Sequence, residues 1–114
     1  MKTITEQIEA AKLAAITAID QMEKEQAEQE KLQNWLTEQT GKANPDWIEN
    51  YTKWEASCTA NKKAVKNAKK QVTNLATFIG VEITEPMKYD YQIRQQMYHL
   101  FDYANEIEKQ ITEV

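Results

Sequence analysis

The sequence contains its longest helical signal between Asn44 and Gly80, where it reads NPDWIENYTKWEASCTANKKAVKNAKKQVTNLATFIG. Ten residues in this segment recur at alternating steps of four and three, the spacing of one seam along an α-helix. They are Trp47, Tyr51, Trp54, Cys58, Asn61, Val65, Ala68, Val72, Leu75 and Ile79. Asn44 can cap a helix, Pro45 suits a first helical position and Gly80 can end one. The segment therefore predicts a helix over residues 45–79.

A second seam precedes the first and predicts a helix over residues 3–39, with Gly41 just beyond its end. Its members also follow steps of four and three: Ile4, Ile8, Ala11, Ala15, Ala18, Met22, Glu25, Gln29, Leu32 and Leu36. The short connection around Gly41 favours antiparallel neighbours, so facing residues should have numbers that sum to about 83. The two seams then pair through ten layers, and an antiparallel coiled-coil hairpin follows.

Two layers of this hairpin place polar groups in the seam. They pair Glu25 with Cys58 and Met22 with Asn61. Buried polar positions fix the register in many coiled coils, at some cost in stability. A role in register and a role in function both stay open for these layers.

A third helix is expected over residues 85–113, with Thr84 as its cap and Pro86 in its first turn. Its seam is entirely apolar: Ile93, Met97, Leu100, Ala104, Ile107, Ile111 and Val114. Folding back at Gly80 gives an elongated, all-α, up-down-up three-helix bundle. The second half of the first helix has barely one apolar stripe, so either the third helix leaves it there or another chain completes that half.

Composition supports a single helical domain over residues 1–114. The chain is 41% hydrophobic and 28% charged, and two glycines and two prolines are too few for the turns of a sheet. No apolar run is long enough to span a membrane, and Met1–Ile4 do not begin a signal-peptide core. A single cysteine excludes an internal disulfide and fits a reducing compartment, so a cytoplasmic location is expected.

Catalytic equipment is sparse, so we predict that the protein is not an enzyme and uses neither a metal nor a cofactor. His99 and Cys58 are the only residues of their types, and both glycines stand alone at helix ends rather than in a phosphate-binding loop. A Cys–His nucleophile would require these two residues to meet, although Cys58 lies on a seam and His99 lies beside another.

Net charge is −4, but the middle of the chain is basic. Four lysines, Lys62, Lys66, Lys69 and Lys70, fall on one side of the second helix by three-and-four spacing. They could contact nucleic acid phosphates, or pair with Asp20, Glu23 and Glu28 of the first helix. The overall acidity and the single arginine, Arg94, favour pairing.

Aromatic residues form the other candidate surface, because tryptophan and tyrosine dominate the energetic centres of protein–protein interfaces. The candidate partner-binding residues are Trp35, Trp47, Tyr91, Tyr98 and Phe101. Trp47 and Trp54 could instead simply fill the seam opposite polar residues of the first helix.

These features predict a non-enzymatic helical module for protein–protein interaction, a small adaptor or inhibitor whose partner is another protein. Such small, acidic, lysine-rich helical proteins are often accessory products of phages or mobile elements, including inhibitors of a host defence component. One alternative is a nucleic-acid-binding protein that uses the lysine face. The other is a self-assembling coiled-coil protein that forms a homodimer.

Overall fold

The computed structural model describes residues 3–113 as three helices, with no strand among those residues. Helix α1 spans Ile4–Glu38, α2 spans Trp47–Ile79 and α3 spans Asp90–Glu113. α1 packs along α2, and α3 packs against both. The extents are 69 × 30 × 16 Å, so the molecule is elongated. The predicted all-α three-helix bundle is confirmed, whereas Val114, predicted on the third seam, lies outside the described residues.

Local signals at both ends of α1 explain its bounds. The Thr3 hydroxyl accepts a hydrogen bond from the Glu6 backbone N–H at 3.1 Å, which satisfies one of the donors that a helix start leaves unpaired. Beyond the other end, Gly41 has a φ of 81°, a left-handed conformation that glycine adopts without steric cost. The chain reverses there and returns as α2.

α2 begins two residues later than the sequence predicts. The Asn44 side chain accepts from the Asp46 backbone N–H at 2.9 Å, and the Asn44 carbonyl accepts from the Trp47 N–H at 3.2 Å. Asn44 therefore closes a turn before the helix, as asparagine readily does, and Pro45 belongs to that turn. The predicted end is confirmed, because Gly80 has a φ of 75° and terminates the helix.

The core lies where all three helices meet. Small residues bring α1 and α2 together there, since Ala15 and Ala68 are completely buried. The buried core residues are Ala15, Ala18, Ile19, Met22, Ala64, Ala68, Val72, Leu75, Ala76, Ile93, Met97 and Leu100. Every helix contributes to this cluster. The half of the hairpin farther from the Gly41 turn, called the proximal half, therefore depends on α3 for its burial.

α3 begins at Asp90, five residues later than predicted, and neither Thr84 nor Pro86 belongs to it. Residues 81–89 instead form a crossover without regular structure, from which Val81, Ile83 and Met87 pack against the core. The residue before a proline is restricted to extended conformations, which opposes a helix at this point. The Gln92 side chain accepts hydrogen bonds from the backbone N–H groups of residues 88 and 89, and this reach-back marks the true helix start.

The direction of α3 differs from the up-down-up arrangement. Arg94, near its start, donates to Glu23 at 2.7 Å, whereas Asn105, near its end, accepts from Lys12 at 2.7 Å. As residue numbers rise along α3, the residues of α1 that it contacts have falling numbers. α3 is therefore antiparallel to α1 and parallel to α2. The extended crossover makes this possible, because about nine residues at roughly 3.3 Å each cover the rise of about 20 helical residues.

Candidate protein-interaction site

α3 covers only the proximal half of the groove between α1 and α2. Its first turn lies near Glu23, which Arg94 contacts, while α1 continues to Glu38. Beyond that point the hairpin consists of two helices alone. This is the half of α1 for which the sequence predicts barely one apolar stripe.

The open half of the groove contains two adjacent pockets of about 210 and 430 Å³, both lined by Trp54. We call this surface the distal groove. Its walls are formed by Gln29, Gln33, Leu36, Thr37, Thr40, Trp47, Tyr51, Trp54, Glu55, Cys58, Asn61 and Lys62. The aromatic side chains all stand on the α2 wall, whereas Leu36 is the one apolar side chain that the α1 side contributes.

The distal groove lies on the same face of the hairpin as α3. Ile19 and Glu23 of α1 line a pocket together with Met97 of α3, so they face that helix. Gln33 and Thr37 follow Ile19 and Glu23 by 14 positions, two heptads, which returns a residue to nearly the same side of a helix. The distal groove is therefore the uncovered continuation of the seat that α3 occupies.

Three aromatic rings form a ladder along the α2 wall. The rings of Trp47 and Tyr51 stack with centroids 5.2 Å apart and planes 11° apart, and Tyr51 contacts Trp54 at 5.7 Å. Tyr51 is 38% exposed, and both tryptophans are half-buried. Sequence reasoning selected Trp47 but left out Tyr51 and Trp54, which its own seam spacing places beside Trp47.

Two buried polar atoms of the distal groove have no hydrogen-bond partner within residues 3–113. They are Nε1 of Trp54 and Oδ1 of Asn61. The Asn61 amide group does donate across the hairpin, to Oε1 of Gln29 at 2.6 Å. The sequence pairs Asn61 with Met22, so this contact corrects the predicted layer, because two carboxamides satisfy each other where a thioether cannot. An unpaired buried donor or acceptor costs about 1–3 kcal/mol, so both atoms lower the stability of the hairpin at this layer.

Trp35 lies near the Gly41 end of the hairpin, which we call the tip, on the face opposite the distal groove. It is half-buried and lines a separate pocket of about 460 Å³ with Leu32, Asn50 and Lys53. The two candidate tryptophans, Trp35 and Trp47, therefore belong to different faces and do not form one surface.

The α3 aromatics lie far along the molecule from the tip. Phe101 packs against the core, and the Lys12 ammonium lies 5.5 Å from its ring centre, so it fills the α1–α3 contact. Tyr98 is exposed beside it. Tyr91 is also exposed and stacks on Tyr89 at 5.8 Å, where α3 starts. These three residues do not converge on one pocket.

The four candidate lysines stand along one side of α2, and all are exposed except Lys69, which is half-buried. Within the described chain none of them forms an ion pair with a carboxylate. Glu23, one of the partners considered for them, contacts Arg94 instead. The sequence from 56 to 81 contains no acidic residue, so the lysine face keeps its positive charge.

A polar cluster joins the end of α3 to α1. Lys12 contacts Glu9 at 3.1 Å and Glu108 at 3.5 Å. A hydrogen bond from Glu108, with another from Lys12, lowers the pKa of Glu9 below its ordinary 4.5, whereas burial, with the same carboxyl contact, raises the pKa of Glu108. Lys12 of α1 therefore links its own helix to α3 through two carboxylates.

Cys58 and His99 line different pockets, Cys58 in the distal groove and His99 beside the crossover. No three or more His, Cys, Asp or Glu side chains are placed to hold a metal ion in the part of the chain that the structure describes. None of the described helices has the length and apolar character needed to cross a bilayer.

Comparison of the chain with protein-family models, curated proteins and solved structures finds no match. The distal groove and the lysine face are therefore the features on which a function can be based.

Proposed function

We propose that the protein is a non-enzymatic helical interaction module, an adaptor or inhibitor, and that it binds another protein through the distal groove. The observation that carries this proposal is the aromatic-walled continuation of the α3 seat, which the chain itself leaves uncovered. A half-filled helical groove exposes apolar surface that a partner can bury.

The composition of the walls supports binding of a protein rather than of a small molecule. Buried tryptophan and tyrosine contribute the largest free energies at protein interfaces, and Trp47, Tyr51 and Trp54 stand side by side here. The groove is long and open, whereas small-molecule sites enclose most of their ligand. A host protein, such as a defence component, is the expected partner, because small, acidic, lysine-rich helical proteins are often accessory products of phages or mobile elements.

Replacement of Tyr51 by alanine tests this surface. We expect Tyr51→Ala to weaken partner binding at least about tenfold, because the ring sits at the centre of the aromatic ladder and is accessible. The partner is captured from a lysate of cells that naturally make the protein, then purified and titrated by calorimetry.

Trp35→Ala is the matched control, since it removes a comparable aromatic from the opposite face. It should leave the affinity within about threefold of that of the unsubstituted protein, and circular dichroism should show both variants folded. A captured partner that tolerates Tyr51→Ala but loses affinity with Trp35→Ala would place binding on the Trp35 face and contradict the proposal.

The unpaired lysines favour nucleic-acid binding as the second candidate. If it holds, the triple substitution of Lys62, Lys66 and Lys69 by glutamine should abolish binding to DNA or RNA at low salt, since phosphate contacts supply most nonspecific affinity. Mobility shifts measure this. Glutamine at the exposed Lys24, Lys31 and Lys42 changes net charge equally and is the control. Absence of a shift with the unsubstituted protein would exclude this candidate.

A further inference from the structure

We infer that the distal groove receives a single amphipathic α-helix from another protein, placed in line with α3. This helix carries a basic residue opposite Glu30. The inference rests on the proposed function, and it adds the structure and chemistry of the partner segment.

The α3 seat defines the shape of the occupant. One helix fills the proximal groove, and the distal groove continues the same face between the same two helices. The open length runs from about Ala27 to Thr40, which corresponds to roughly 14 residues, or four turns of helix. An occupant that continues the packing of α3 is therefore one helix of about this length.

A second copy of the chain fits this seat poorly. Its only single helix, α3, is already packed on its own hairpin, through Ile93, Met97 and Leu100. What a second copy could offer is its hairpin tip, which is two helices wide and does not match a groove that holds one. Another protein is therefore the source of the helix.

The α1 rim defines the charge of the occupant. Arg94 of α3 pairs with Glu23, and Glu30 follows Glu23 by one heptad on the same rim. Glu30 is exposed, and in the part of the chain that the structure describes it has no basic partner. A lysine or arginine on the occupant would repeat the contact that Arg94 makes.

Photo-crosslinking tests the inference. The photoreactive residue p-benzoylphenylalanine is introduced at Glu55, an exposed position on the groove wall, and at Lys53, an exposed control position on the Trp35 side. Both proteins are irradiated in lysate, and the crosslinked segments are sequenced by mass spectrometry. We expect the Glu55 position to capture a heptad-patterned helical segment of another protein, with a basic residue flanking its apolar stripe.

The crosslinking outcomes separate the inference from the proposed function. Capture of a segment of another protein without helical periodicity would overturn the inference alone, whereas capture of another copy of this chain would overturn both. Capture of another protein by the Lys53 position and not by Glu55 would overturn both the inference and the distal groove as the binding surface, and would leave only the general role in protein binding. Capture by neither position would overturn both.

Discussion

Leu75→Ala is expected to lower the free energy of unfolding by about 2–5 kcal/mol, the usual cost of truncating a buried leucine. Leu75 is completely buried in the cluster where α1, α2 and α3 meet. Its removal leaves a cavity that three helices border, and rigid helices close such a space only in part. Because domains of this size are stable by about 5–15 kcal/mol, a large share of the stability is lost.

Urea denaturation followed by circular dichroism measures this loss. Leu13→Ala is the matched control, because Leu13 is 64% exposed on α1 and its truncation should change stability by less than about 0.5 kcal/mol. Equal denaturation midpoints for the two variants would contradict the position of the core.

Deletion of residues 82–85 is expected to destabilise the protein by about 4 kcal/mol or more, because α3 then cannot reach its seat. The crossover must climb about 30 Å along the bundle, and four fewer extended residues shorten its reach by roughly 13 Å. Ile93, Met97 and Leu100 lose their burial together, and each contributes about 1.5–3 kcal/mol when fully buried.

The matched control inserts four glycine and serine residues between Glu85 and Pro86. This keeps the reach and the core contacts, and longer surface loops cost only about 0.6 kcal/mol per doubling of length. Hydrogen exchange of the α3 amides should show loss of protection in the deletion variant alone. Full protection in the deletion variant would show that α3 does not need the long crossover. That result would contradict the antiparallel relation of α3 to α1.

The hairpin could be predicted because its signals are local. Alternating steps of four and three mark a helix face wherever they occur, and Gly41 and Gly80 take the left-handed conformations that end helices. The start of α3 was wrong because Thr84 and Pro86 resemble a helix start. The period-two pattern of Val81 and Ile83 was the opposing signal, since it is typical of an extended segment with one face on the core.

The candidate site was predicted only in part. Trp47 does line the distal groove, but Trp35 lies on the other face and Phe101 is occupied by the α1–α3 contact. The seam already contained Tyr51 and Trp54, and polar Gln29 opposite them was a sign of incomplete burial. Which aromatics are uncovered depends on where α3 lies, and no local pattern states that.

By itself, the sequence determined three helices, an antiparallel hairpin and a first helix whose second half lacks apolar cover. These properties follow from hydrophobic period, turn residues and composition, each of which acts over a few residues. Only the tertiary structure decided that α3 runs antiparallel to α1 and that the distal groove stays open. The physical reason is that burial of an apolar stripe has no direction of its own, so α3 could satisfy it either way. The length and packing of residues 81–89 made the choice.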